Sequence, residues 1–517
     1  MTRFNSLFSA FLSISLALGS VLYAPSAQAF CGFYVAGGES SLFNDATQAV
    51  LMRVGQRTVL SMQNNYQGPP ENFAMVIPVP TVLQQENVQT LSADLFAKID
   101  TLSAPRLVEY WEMDPCEPDY YGEMDSEVAA PESDEAGDGG GGSVTVEAEF
   151  TVGEYDIVIL GTDDSTALES WLSDNEYSIP EGAGPYLEPY VQSGMYFFVA
   201  RVNSEEVTMN DGNAVLSPLR FYYDSSEFSL PVRLGLINSQ GDQDLIVYTL
   251  GLGQRYEVAN RTNVTIPTNI EVVDEVRNDF GSFYRTLFDE TVALNPGAAV
   301  TEYSWDASTC DPCPGPTLDR EDFATLGADV VDVDPWANWT LTRMHLRYSS
   351  DTLGDDLVFS EAAPIVGGRE RYNDQALEVG STPASYNNFQ GRYIIRHAWE
   401  ESVTCSDPVY GRWGGPGGSD NPGQPQGATS PNTEGDSAAA SESGGGTSLP
   451  SDDIADLVAQ DVPEINVEAS GRFAGEDGTA AKDDVGCGCQ STDPVSLGLL
   501  VLFGLWVTLR RRKPSQV

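Results

Sequence analysis

Cys310-Asp311-Pro312-Cys313 sets two thiols with two residues between them. That spacing serves redox dithiols and one half of a zinc knuckle. A redox dithiol needs its first cysteine at a helix N-terminus, where the dipole lowers the thiol pKa. Here Pro312, Pro314 and Pro316 point instead to a rigid loop. Zinc needs four ligands, and Cys405 with His397 or His345 could complete the set. The body has no second Cys-x-x-Cys, so structural disulfides drawn from Cys31, Cys116, Cys310, Cys313 and Cys405 are the favoured reading. Five is an odd number, so one thiol stays free or pairs elsewhere, and spacing does not give the connectivity.

The chain has two histidines, His345 and His397. His345, between Met344 and Leu346, reads as an ordinary side chain on one face of a strand. A nucleophilic Cys–His pair would have to join one histidine to Cys31 or Cys405, yet no helix-opening nucleophile or oxyanion-forming glycine turn flanks either cysteine. The sequence has no Gly-x-Ser-x-Gly elbow, His-Glu-x-x-His helix or phosphate-binding loop. Among 77 acidic residues no pair stands out for glycoside hydrolysis. The sequence therefore names no catalytic residue, cofactor or metal site. Tyr120-Tyr121, Phe197-Phe198 and Tyr222-Tyr223 could line a carbohydrate groove, but alternating strands account for them as core and cross-strand pairs.

Charge narrows the partners. With 26 Lys and Arg against 77 Asp and Glu, the 517-residue chain has a formal net charge of −51. Such a surface repels nucleic acid and anionic lipid. No Asp-x-Asp-x-Asp-Gly calcium loop is present, so solubility in salty surroundings explains the acids better than cation capture.

Both termini speak of export. Arg3, the apolar stretch Leu7 to Leu22 and Ala27-Gln28-Ala29 make a secretory signal with the mature chain starting at Phe30. Near the other end stand Gly486-Cys487-Gly488-Cys489, an uncharged run from Pro494 to Leu509, and Arg510-Arg511-Arg512-Lys513. The run spans roughly 24 Å as a helix, a little short of a hydrocarbon core, and its flanking arginines can snorkel. Basic residues after the span leave the C-terminus in the cytoplasm and the body outside.

Between these ends the elements interleave without a regular β-α beat. Thr47 to Met52 and Arg57 to Gln63 alternate as strands around a turn at Gly55-Gln56, and Asn72 to Pro80 is a buried strand ended by prolines. Leu91, Leu95, Ile99 and Leu102 define an amphipathic helix that ends before Pro105. Further strands are expected at Val144–Val152, Tyr155–Leu160, Met195–Val202, Leu219–Tyr223, Val232–Ile237, Leu245–Leu250 and Trp339–Arg347. Helices are expected at Asp164–Asn175, Pro185–Ser193 and Glu271–Leu294. Residues 122–143 carry acids without a base and close with Gly139-Gly140-Gly141-Gly142; 414–450 are dominated by Gly, Ser, Pro, Asn and Ala, with a single Leu and no Val.

Phe30-Cys31-Gly32-Phe33-Tyr34-Val35, Phe73 to Pro80, Trp171-Leu172 and Tyr190 to Gly194 form a set with Leu219-Arg220-Phe221-Tyr222-Tyr223, Cys310 to Pro314 and Thr342 to Tyr348. Together these passages resemble an exported bacterial family classed as a domain of unknown function, number 2330. The similarity runs from about Phe30 to Cys405 and implies no assigned activity. The tail is similar to the MYXO-CTERM sorting tails of myxobacteria. That resemblance implies an envelope protease acting at Cys487 or Cys489 and delivery of the body to the cell surface.

The expected class is α+β, with mixed or antiparallel sheets, several packed helices, an acidic flexible insertion, and a C-terminal stalk with one transmembrane helix. In order, the chain should hold a signal peptide (1–29), a β-rich start (30–121), the acidic insertion (122–143), the main body (144–413), a low-complexity stalk (414–486), and the cysteine motif, membrane helix and basic tail (487–517). The function read from this is an exported, surface-anchored, non-enzymatic protein acting in adhesion, ligand binding or envelope structure. Its partners would be the membrane, a processing protease and an unidentified extracellular ligand, without nucleic acid. The alternative is an extracellular hydrolase or a Cys/His metal or redox module.

Overall fold

The computed structural model describes residues 33–35, 43–67, 74–116, 145–175, 183–203, 208–210, 213–238, 241–335, 337–369, 372–373, 376–414 and 453–471. The signal residues, the 122–143 insertion, Cys31, Cys487, Cys489 and the 494–509 run lie outside these. Among the described residues no helix is long and apolar enough to cross a membrane.

Strict alternation builds the central sheet. Its middle strands are, in spatial order, Ala299–Asp306, Trp339–Tyr348, Gln243–Leu252, Phe43–Val54, Arg57–Gln67 and Leu219–Asp224. Odd and even positions go to opposite faces, so each strand feeds two cores. On one face Ala49, Leu51, Leu60, Met62, Val247, Met344 and Leu346 meet Ile77, Ile157, Ile159, Phe198 and Ala200. Those partners come from a second sheet, whose inner strands are Ala74–Val79, Tyr196–Val202 and Tyr155–Gly161. On the opposite face Val50, Val59, Tyr248 and Leu341 receive Phe96, Ile99 and Leu102 of the helix Ala93–Ser103. Further along that face lies the helix Phe280–Leu294, with Phe283, Leu287 and Phe288 buried. The result is a mixed α+β arrangement of several sheets and few helices.

Local chemistry sets the boundaries. The hairpin between Phe43–Val54 and Arg57–Gln67 turns at Gly55, whose φ of +55° lies in the left-handed region that glycine enters freely. Ser92 caps the helix Ala93–Ser103 by accepting from Asp94 N. The single helix expected from Glu271 to Leu294 is divided into a short strand, a 3-10 turn at Asp274–Asn278 and the helix proper. Asp279 causes the break: it leaves helical geometry and its carboxylate caps Ser282 N at 3.1 Å. The strand expected at Val232–Ile237 is instead a 3-10 turn, Arg233–Asn238. Asp356 Oδ1 accepts from Val232 N and Arg233 N at 2.8 and 3.1 Å, holding those amides in a turn.

The β-rich start belongs to the body, because Phe43–Val54 pairs with Gln243–Leu252 and Arg106–Glu112 with Arg392–His397, both in parallel. One segment expected within the stalk is placed otherwise. Residues 453–471 dock on the body: Ile454, Leu457, Val458, Val462 and Ile465 are buried against the helix Phe280–Leu294 and its neighbours. Leu457 O accepts from Val273 N at 3.1 Å, and Ala459 N donates to Glu271 O at 2.8 Å. Leu457 lies fully buried, so Leu457→Ala should cost about 2–4 kcal/mol in denaturant unfolding. A chain ending after Gly414 should melt below one ending after Ala474, and equal midpoints would show that the segment does not dock.

Candidate functional site

A bulge makes the centre of the structure. Along Ala299–Asp306, Thr301 pairs with Met344 and Tyr303 with Arg343, so Glu302 is an extra residue with no cross-strand partner. Such an insertion re-aims side chains. Alternation from Val300 puts Glu302 on the helix-covered face and the extra residue brings Tyr303 to the same face. The Glu302 carboxylate is wholly buried, while its carbonyl accepts from Gly391 N at 2.7 Å.

Three residues from two elements supply donors to that carboxylate. Arg343 Nε donates to Oε2 at 2.6 Å, His345 Nδ1 lies 2.9 Å from Oε1, and the Tyr284 hydroxyl of the covering helix also donates to Oε1. Arg343 reaches on to Asp100 of the other helix, and its Nη1 donates to Tyr248 OH at 3.0 Å. Tyr248 in turn donates to Asp100 Oδ1 at 2.8 Å. The chain of contacts then runs to the surface. His345 stacks on Phe288 with centroids 3.7 Å apart, and its Nε2 lies 3.3 Å from Asp244 Oδ1, an ion-pair distance off hydrogen-bond alignment. Arg347 completes the edge, donating to Asp244 at 2.8 and 2.9 Å and to Asp289.

Burial and pairing oppose each other at each group. Burial pushes the Glu302 carboxyl up most strongly, but Arg343 and His345 together bring it down to about 2. Burial likewise disfavours charged His345, and Glu302 and Asp244 override it, raising the imidazole to about 8. Tyr248 and Tyr284 are pushed well above the usual phenol range, mainly by burial. At neutral pH the cluster is thus a Glu302 carboxylate against Arg343 and a protonated His345, with the phenols as neutral donors. The arrangement can hold a proton at His345 and is otherwise saturated by its own members.

His397 sits apart. Its Nε2 lies 2.7 Å from Glu109 Oε2, its ring stacks on Trp111 at 4.7 Å, and Arg277 pairs with the same carboxylate oxygen at 3.2 Å. Neither histidine has a free thiol to join among the four described cysteines. Cys116 bonds to Cys405 (Cα–Cα 5.5 Å) and Cys310 bonds to Cys313 (Cα–Cα 4.9 Å). The zinc set of Cys310, Cys313, Cys405 and a histidine is therefore not brought together. Among the described residues no group of three or more His, Cys, Asp or Glu is placed to hold a metal. The Cys310–Cys313 loop lies between a strand and the short helix Arg320–Phe323 rather than opening a helix. Of the aromatic pairs, Phe197 and Phe198 are core residues, while Tyr222 and Tyr223 follow the two faces of their strand. Tyr120 and Tyr121 lie outside the described residues.

Sequence reasoning passed over Glu302, Arg343, Asp100, Tyr248 and Tyr284. One signal was available: Arg343, His345 and Arg347 alternate with Met344, Leu346 and Tyr348. That pattern puts three cations on one face of an otherwise apolar strand.

A family model described as an uncharacterized protein conserved in bacteria (DUF2330) matches residues 25–360. The chain belongs to this family. No curated protein and no solved structure matches it. The DUF2330 match stops before Arg392–His397, although that strand pairs with two others of the body.

The network sets two expectations. Arg343→Met strands two buried carboxylates and should cost about 3–5 kcal/mol in denaturant unfolding. His345 has its folded pKa raised from 6.5 to about 8, so its stabilising effect is complete below pH 6.5 and is lost as pH rises through 8. The loss amounts to about 2 kcal/mol at 1.36 kcal/mol per pH unit. His345→Gln should flatten that part of the stability profile, and an unchanged slope would remove His345 as its source.

Proposed function

We propose that this chain is an exported, surface-anchored, non-enzymatic protein that serves adhesion, ligand binding or envelope structure. The observation that carries the reading is the pair of closed disulfides, Cys116–Cys405 and Cys310–Cys313. Such bonds form and persist in oxidising compartments. The signal-like start and the apolar run followed by arginines support the same location. On this reading the run from 494 to 509 holds the membrane, and a processing protease acts at Cys487 or Cys489. The non-enzymatic part rests on saturation: the donors around Glu302 are spent on one another, and the carboxylate has no exposed surface from which to reach a substrate.

Protease shaving of intact cells, followed by non-reducing peptide mapping of the released body, tests the proposal. Expected are loss of the full-length band and linked peptides joining Cys116 to Cys405. Full-length protein in the cytosol with its cysteines as thiols would refute both location and bonding.

A further inference from the structure

In a chain of net charge −51, two neighbouring buried cations have no acid among their hydrogen-bond partners. Arg106 is 6% exposed and Arg392 1%. They are register partners on adjacent parallel strands, so they leave the sheet side by side. Arg106 gives Nη1 to Pro312 O at 2.8 Å and Nη2 to Leu102 O at 2.5 Å. Arg392 gives Nε to Asn269 Oδ1 at 2.8 Å and Nη1 to Tyr110 OH at 3.0 Å. Those acceptors are all neutral. The nearby cation Arg343 already has Asp100 and Glu302.

Three donors remain uncommitted and shielded from solvent: Arg106 Nε, Arg392 Nη2 and the hydroxyl of fully buried Tyr303. Tyr303 pairs across strands with Gln390, which donates to Asp311 O at 2.8 Å and Gly368 O at 3.2 Å, leaving its own Oε1 without a partner. Arg106 and Gln390 thus both grip the carbonyls of the Cys310–Cys313 loop, whose Cys313 faces solvent. Burial, then the positive charges of Arg392 and Arg343, lower Arg106 to about 10, still protonated at neutral pH. Asp311 acts on Arg106 through space, but less than Arg392 and Arg343 do. Buried ions bonded only to neutral acceptors are costly, and two adjacent ones repel. A single anion among these donors offsets both penalties.

We propose that Arg106, Arg392 and Tyr303 bind one small monovalent anion of halide size behind the Cys310–Cys313 loop. The enclosure and the nearby Gln390 oxygen disfavour a larger or more highly charged oxyanion. The site is independent of the export proposal.

The test uses the full-length protein dialysed into gluconate, too large an anion to enter, with chloride or bromide added at constant ionic strength so that general screening is unchanged. Thermal unfolding should rise saturably by several degrees, and bromide-soaked crystals should show an anomalous peak within hydrogen-bonding distance of Arg392 Nη2. Arg392→Gln should lose both effects. Tyr303→Phe keeps the ring and the fold, removes one donor, and should raise the half-saturating concentration severalfold. Equal midpoints in chloride and gluconate with no bromide peak would mean the donors bind only water, and the proposal fails. A halide effect retained in full by both variants would place the anion elsewhere and overturn it as well.

Discussion

Glu302 is a full charge enclosed at the middle of the fold, and the surrounding architecture is arranged around satisfying it. Its three donors come from the neighbouring strand and from the helix above, and Arg343 passes the connection to Asp100 on the second helix. Apolar packing alone lets a helix slide over a sheet at modest cost, because the hydrophobic effect has no direction. Hydrogen bonds to a buried carboxylate do have direction, and leaving one unmade costs more than making it gains. Each of the two helices therefore has polar contacts that fix its position along the sheet, in addition to the apolar face that attaches it. Alternation from Val300 places Glu302 on the helix face, and the bulge adds Tyr303 to that face by setting it opposite Arg343.

How much of this could be read beforehand depended on the range of the interaction. The spacing of Leu91, Leu95, Ile99 and Leu102 and the Gly55 turn are local, and the helix and hairpin they indicate are present. Val232–Ile237 had the composition of a strand but takes a turn, because the deciding acceptor, Asp356, lies more than a hundred residues away. Docking of 453–471 was hidden by the polar stretch before it, which made a short apolar group look like part of a stalk. The Glu302 cluster draws on residues from 100 to 345, and only its alternation in Trp339–Tyr348 has a trace in one segment. A bulge leaves no composition signal.

Charge is distributed unevenly between outside and inside. Among the described residues few acids are buried, whereas the buried polar groups include six arginines, 53, 106, 220, 255, 343 and 392. Guanidinium suits this position, since its planar fork can bond carbonyls, phenols and carboxylates at once without losing its proton. Arg53 shows the pattern on a small scale, donating to Gln56 O, Thr58 Oγ1 and Ser225 O and so tying a hairpin to a distant loop. Solubility is thus left to the acidic surface, and interior connection to a few arginines.

Cys116 and Cys405 follow two parallel strands in register, Arg106–Glu112 and Arg392–His397, which leave the sheet at the same edge and bring the sulfurs together. The bond closes a covalent ring across 289 positions. The acidic, glycine-rich stretch 122–143 lies inside that ring. A break in the main chain there opens the ring without parting the pieces: the N-terminal fragment stays tethered to the C-terminal one by sulfur, and the nicked molecule is still a single covalent particle until it meets a reductant.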